Sequence, residues 1–227
     1  MTLDLTAVGG PAPLIDHTLL RPTANVAEIE HLCEEAVEYG FASVCVPPCH
    51  VRLAAGRLYG SGVAVSTVVG FPLGFSSPEV KRFEAVQAVN DGAVELDMVI
   101  RQDWAAQANW QAVGDEIALL VRAVPEAKIK VILECCRLMP DSITALVDVV
   151  ADSGAAFVKT STGFAEKGAD AGQVRLMAQV ARGRVGVKAA GGIRTLDDLV
   201  AMVTAGAKRI GTSAGVAIMR QWLERQA

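Results

Sequence analysis

Eight short apolar runs, each followed by a longer amphipathic stretch, constrain this chain more than any other feature. They lie at 13–17, 42–47, 63–70, 93–100, 128–134, 156–161, 185–190 and 208–212. Apolar runs of this length match strands buried on both faces, and the stretches between them carry helical spacing. The segment 104–123 is one such stretch, with Trp110, Val113, Ile117 and Leu120 in phase. Punctuation supports the division. Ser77 precedes Pro78, and Gly92 lies beyond the expected helix end. Thr195-Leu196-Asp197-Asp198 reads as a capping box with Asp in place of Glu, and Asp141 or Ser142 is the expected cap of the helix that ends before Gly154.

Strand–helix units of roughly 30 residues are the normal spacing of a (β/α)8 barrel. A doubly wound open sheet is the alternative, and it calls for a glycine-rich nucleotide loop after its first strand. That loop is absent, and no linker divides the chain. The expected architecture is therefore α/β, a single-domain (β/α)8 TIM barrel over residues 1–227. A hydrophobic content of 52% supplies the core.

The net charge of −4 is spread along the chain, so neither nucleic acid nor a membrane surface is an expected partner. Met1 to Pro13 has no basic residue and does not read as a signal peptide. Five cysteines, an odd number, then point to reduced thiols and a cytoplasmic location. Cys45, Cys49 and His50 lack paired zinc spacing, and three scattered histidines do not make a metal centre. No metal and no cofactor is expected.

Barrel enzymes present their chemistry at the C-terminal strand ends. Those ends carry Asp16-His17-Thr18, Glu95-Leu96-Asp97, Glu134, Lys159-Thr160-Ser161, Lys188 and Gly211-Thr212-Ser213. Of the seven lysines, Lys159 and Lys188 interrupt strands that should be buried. A buried ammonium is costly, so each is either paired or functional. On adjacent strands the two would disfavour each other's charge, and burial acts in the same direction. A lowered pKa yields the neutral amine that attacks a carbonyl. Asp97 and Asp16 are the groups able to move protons beside it. The structural alternative is an ion-pair network joining Lys159 to Asp97 and Lys188 to Glu134 or Asp16. Glu95 and Lys130 read as a structural pair deeper in the barrel.

Gly191-Gly192 leaves the seventh strand and Gly211-Thr212-Ser213 the eighth, the two loops that often bind phosphate in barrels. Glycines let backbone amides approach the oxygens, and a following helix N-terminus favours negative charge. His31 reads as a surface residue, His50 as a polar group near a helix start, and His17 as a neighbour of Asp16 at the barrel mouth.

Phe157-Val158-Lys159-Thr160-Ser161-Thr162-Gly163-Phe164 resembles the Schiff-base signature of the deoxyribose-phosphate aldolase family. Ile15-Asp16-His17-Thr18, Phe71-Pro72-Leu73-Gly74, Glu95-Leu96-Asp97-Met98-Val99, Lys130-Val131-Ile132-Leu133-Glu134, Val187-Lys188-Ala189-Ala190-Gly191-Gly192-Ile193 and Ile210-Gly211-Thr212-Ser213 accompany it in family order. The resemblance implies a class I aldolase that reversibly cleaves 2-deoxy-D-ribose 5-phosphate to D-glyceraldehyde 3-phosphate and acetaldehyde. It implies that Lys159 forms the Schiff base, that Lys188 perturbs it and joins in proton transfer, and that Asp97 donates and accepts protons with Asp16 assisting. It places Thr18 on the sugar hydroxyl, and Gly163, Gly191, Gly192, Gly211 and Ser213 around the phosphate. A homodimer is implied, with a tetramer as the alternative.

Two departures bear on the phosphate. Phe164 stands where some members have a lysine, and Ala214 where some have a second serine. The competing readings are another Schiff-base barrel aldolase acting on a keto-acid or ketose phosphate, and a non-catalytic phosphate-metabolite sensor. The first calls for an added arginine, and Arg194 is the one expected near the mouth.

Overall fold

Strands form at Ile15–Thr18 (β1), Ser43–Val46 (β2), Ala64–Val69 (β3), Glu95–Val99 (β4), Lys128–Ile132 (β5), Phe157–Lys159 (β6), Gly186–Ala190 (β7) and Arg209–Thr212 (β8). All neighbours pair in parallel, and β8 returns to β1 to close the barrel. The computed structural model describes residue 5 and residues 9–226. Of Met1 to Pro13, read above as no signal peptide, residues 1–4 and 6–8 lie outside them.

Helices cover the barrel at Val26–Tyr39 (α1), Val51–Leu58 (α2), Pro78–Asn90 (α3), Gln102–Ala106 (α4), Trp110–Ala123 (α5), Pro140–Asp152 (α6), Ala171–Ala181 (α7), Leu196–Thr204 (α8) and Gly215–Glu224 (α9). Among the described residues, no helix is long and apolar enough to cross a membrane.

The four residues Glu95-Leu96-Asp97-Met98 of β4 show how the strands sort their side chains. Leu96 and Met98 join the apolar layer between barrel and helices, with Val44, Val131, Val158, Val187 and Ile210 from other strands. Glu95 and Asp97 face inward and meet charged side chains from β5, β6, β7 and β8. A strand period of two thus puts an oil layer outside the barrel wall and an ionic layer inside it.

The caps expected at Ser77 and Thr195 form, one unread in the sequence forms at Asn25, and two other expectations are corrected. Asn25 and Glu28 close a capping box on α1, Ser77 caps α3 ahead of Pro78, and Thr195 with Asp198 caps α8. The cap of α6, however, is neither Asp141 nor Ser142. Pro140 occupies the first turn and Met139 precedes it, because the proline ring is already set at the helical φ and carries no N–H that needs an acceptor. The segment 104–123 is also not one helix. Ala108 turns left-handed at φ 54°, and the Asn109 side chain accepts the Ala112 amide at 3.2 Å to start α5 afresh.

Candidate active site

Inside the barrel, one carboxylate gathers three lysines. Asp97 Oδ2 accepts Lys159 Nζ at 2.6 Å and Lys188 Nζ at 2.6 Å, while Oδ1 accepts Lys130 Nζ at 2.9 Å. Asp16 extends the cluster: its Oδ2 lies 2.5 Å from Lys188 and 3.3 Å from Lys130, and its Oδ1 accepts Arg209 at 2.5 Å and the Ser43 hydroxyl at 2.6 Å. Glu95 completes it with Lys130 at 2.8 Å and Arg209 at 3.0 Å. The expected Glu95–Lys130 pair is therefore present, but as part of a continuous network. Lys188 is paired with Asp16 and Asp97, and Glu134 is elsewhere.

Inside the barrel four cations thus face three carboxylates, all but Arg209 almost wholly buried, while the exposed Lys128 approaches Glu95 at 3.7 Å from outside. The interior groups balance when one lysine is neutral. Burial pushes the Lys159 pKa down and the Lys188 charge adds to that, against the opposing pull of Asp97, with a net lowering. Lys188 therefore acts in the expected direction, but burial comes first. For Asp97, burial alone would raise the pKa; Lys130, Lys159 and Lys188 reverse this and hold the carboxyl well below the usual range. Asp16 is likewise held low against burial by Lys130, Lys188 and Arg209. Lys130 moves the other way: Asp16, Asp97 and Glu95 outweigh burial and keep it protonated.

Above the network a cavity of about 420 Å³ opens at the C-terminal end of the barrel. Lys159 lies in its lining, together with Thr18, Gly163, Gly191, Gly192, Gly211 and Ser213. All six residues expected to bind substrate therefore surround the one lysine that reaches the cavity. Thr18 donates its hydroxyl to the Asp16 carbonyl at 2.8 Å, which fixes the rotamer and leaves the oxygen as an acceptor. The Thr160 hydroxyl ties β6 to β7 just beyond Lys159, accepting from the Ala190 amide at 3.1 Å.

The glycines have separate reasons. Gly191 (φ +89°) crosses the loop after β6 so closely that an added Cβ would lie 2.9 Å from the Gly168 Cα. Gly192 (φ +79°) has no atom within 4 Å of that position, so it is open toward solvent and cavity. At Gly211 a Cβ would come within 3.2 Å of the Lys188 Cε. That glycine, expected only at the phosphate, also leaves room for the lysine stem.

Several backbone amides at the mouth are already committed. Asp198 accepts those of Arg194 and Thr195 at 3.0 Å each, and Thr212 accepts that of Ala214 at 2.9 Å. In the first turn of α8, Gln221 takes the Leu196 amide at 2.8 Å and Thr195 the Asp198 amide at 3.1 Å, which shifts the expected helix contribution toward α9. Glu134 anchors the loop after β6 by accepting the Thr162 amide at 3.2 Å. His17 does not face the mouth. Its ring turns outward, packs against Phe41 and bonds Glu35 at 2.7 Å. Arg194, expected as the one arginine at the mouth, lines the cavity, but Arg21 lines it too, and Arg209 enters the barrel from β8 without having been singled out in the sequence. Neither Arg21 nor Arg209 carries a local mark in the sequence: each reaches the site only through the fold.

The arrangement is that of an amine poised for carbonyl attack, with a carboxylate at hydrogen-bond distance and a second lysine on the same carboxylate oxygen. The family model for DeoC/LacD family aldolases matches residues 12–225. A deoxyribose-phosphate aldolase of Thermoanaerobacter sp. (strain X514) is 49% identical over 214 residues, covering 93% of this chain and 96% of that protein. One from Deinococcus radiodurans is 49% identical over 208 residues, covering 92% and 94%. Among solved structures, the tetrameric deoxyribose phosphate aldolase of Aeropyrum pernix superposes with a TM-score of 0.89 at 37% identity, covering 97% of this chain and 95% of that one.

Proposed function

The chain belongs to the DeoC/LacD family of aldolases, and from that premise we propose that it reversibly cleaves 2-deoxy-D-ribose 5-phosphate to D-glyceraldehyde 3-phosphate and acetaldehyde. The observation that carries this reading is Lys159: a cavity-lining amine, lowered in pKa, 2.6 Å from Asp97.

The neutral Lys159 amine attacks the aldehyde carbon of the open-chain sugar. The carbinolamine then loses its hydroxyl as water and becomes an iminium. The substrate's C3 hydroxyl gives up its proton, the C2–C3 bond breaks, and its electron pair moves through C2 to the iminium nitrogen. Glyceraldehyde 3-phosphate leaves. The remaining enamine takes a proton at C2, and water attacks the resulting iminium to release acetaldehyde and restore the amine.

Asp97 Oδ2 is shared by Lys159 and Lys188, so it serves as the bridge for protons between them. Its depressed pKa keeps it an acceptor, and Lys188 is then the acid beside the carbinolamine oxygen. Asp16 holds Lys188 from the other side and positions Thr18, through its carbonyl, toward the sugar hydroxyl. Gly163, Gly191, Gly192, Gly211 and Ser213 form the phosphate end. No step calls for a metal or cofactor. The protein works as a homo-oligomer in the cytoplasm, in keeping with the tetrameric relative and the free cysteines.

A coupled assay for glyceraldehyde 3-phosphate tests the substrate. The expected result is a higher kcat/KM for deoxyribose 5-phosphate than for fructose phosphates or keto-acid phosphates. Preference for either of the latter would assign the lysine site to another aldol substrate.

A further inference from the structure

We propose that Arg21 makes this cavity select a phosphorylated substrate, its guanidinium reaching the phosphate from the loop after β1, beside the glycine loops; the proposal rests on the substrate reading given above. In the loops after β7 and β8 the Arg194, Thr195 and Ala214 amides are already bonded, so fewer amides around the glycines are left to meet an anion. Phe164 lines the cavity without charge, and its amide donates to the Thr162 hydroxyl at 3.1 Å. Apart from Lys159, which the chemistry occupies, the cations in the lining are Arg21 and Arg194.

Arg21 has the better-built surroundings. β1 pairs with β8 in a register that sets Asp16 opposite Gly211, so the loop leaving β1 runs beside the loop bearing Ser213. The guanidinium bonds Glu28 and points toward the Thr23 hydroxyl at 3.4 Å. Glu28 is itself fixed by the capping box of α1: its Oε2 accepts the Asn25 amide at 3.0 Å, and its amide donates to Asn25 Oδ1 at 3.1 Å. A long exposed side chain is thereby tied to the rigid first turn of a helix. Guanidinium has five donors in a planar fork, so donors remain for a phosphate after Glu28 and Thr23 are served. Charge-assisted bonds of this kind are stronger than neutral ones, and exposure weakens them.

The test compares wild type with Arg21→Met and Arg21→Lys, using deoxyribose 5-phosphate, unphosphorylated deoxyribose and inorganic phosphate as inhibitor. Arg52→Met, at an exposed arginine paired with Asp91 and absent from the cavity lining, controls for net charge. Arg21→Met should lower kcat/KM for deoxyribose 5-phosphate about tenfold, through kcat as well as KM, and raise the inhibition constant of inorganic phosphate by about the same factor. Its loss on deoxyribose should stay within about twofold, the Lys variant should fall between, and the Arg52 variant should match wild type. Equal losses on both sugars, or none on the phosphorylated one, overturn the assignment of Arg21 alone. A wild type that prefers unphosphorylated deoxyribose overturns it together with the substrate reading.

Discussion

Lys159 and Lys188 are register partners across β6 and β7, and their amines converge on the same oxygen of Asp97. Removing one changes the other through two routes of the same sign. In Lys188→Leu, a neighbouring positive charge disappears, and Asp97 is left to Lys159 and Lys130 alone. Both effects favour the protonated form of Lys159. The variant should lose about 100-fold or more in kcat at neutral pH, as expected when an acid–base group is removed. Part of the activity should return as pH rises toward the displaced pKa. A pH–rate profile identical in shape to wild type would make Lys188 a structural ion-pair partner instead.

The covalent step has a direct readout. Borohydride with acetaldehyde or deoxyribose 5-phosphate should inactivate the protein irreversibly, and peptide mass spectrometry should find the reduced adduct on Lys159. An adduct on Lys188 would transfer the Schiff base to β7. Chelators added before the assay should leave turnover unchanged, as expected for iminium rather than metal chemistry.

Neighbours 2.6 Å apart should have opposite effects on stability. Asp97 answers three lysines, so Asp97→Asn leaves buried cations without their counter-ion and should cost about 3–5 kcal/mol. Lys159 is the surplus cation, so Lys159→Met should raise Tm by a few degrees, with roughly 1 kcal/mol gained. The pH dependence follows from the shifts. The unfolded state takes up the Asp97 proton first, so that residue's contribution is complete above about pH 4 and fades below it as pH falls toward the folded pKa. For Lys159 the unfolded state keeps its proton longer as pH rises, so wild type gains on Lys159→Met between the folded pKa and about pH 10.4. Thermal melts across pH check both slopes. A destabilised Lys159→Met at pH 7 would mean that the amine is a needed partner and not a surplus one.

The strands and the lysine pair were legible because each is a local contradiction or a local repeat. Lys159 and Lys188 stand out as charges in apolar runs, and the alternation in Glu95-Leu96-Asp97-Met98 sets the two faces of β4 before any coordinates. What escaped is what depends on closure. Arg209 joins Asp16 only because β8 returns to β1, a separation of 193 residues. The fully buried Lys81–Glu116 pair between α3 and α5, with Lys81 also donating to the Val99 carbonyl at 2.7 Å, escaped for a lesser reason: 35 residues and the packing of two helices separate its partners. His17 was placed at the mouth by its neighbour Asp16, but adjacent residues on a strand point to opposite faces. The break at Ala108 lies within a segment whose apolar spacing continues across it, so periodicity alone carries no sign of the left-handed residue.

The phosphate end can be separated from the lysine end at Gly192. Its φ of +79° disfavours any side chain, and an added Cβ meets nothing within 4 Å. Gly192→Ala therefore isolates the backbone strain, about 1–2 kcal/mol. Gly192→Leu adds bulk in the space where the phosphate should sit. Binding energy from a remote phosphate positions the aldehyde against Lys159, so its loss should appear in kcat as well as KM. Gly192→Leu should reduce kcat/KM for deoxyribose 5-phosphate by about 100-fold, the scale on which remote misplacement acts. Turnover of deoxyribose should fall no further than in Gly192→Ala. Measuring both substrates in all three proteins decides the matter: equal losses in the Leu variant would mean that the substitution reaches the lysine cluster or the fold, and the phosphate would have to be sought along another wall of the cavity.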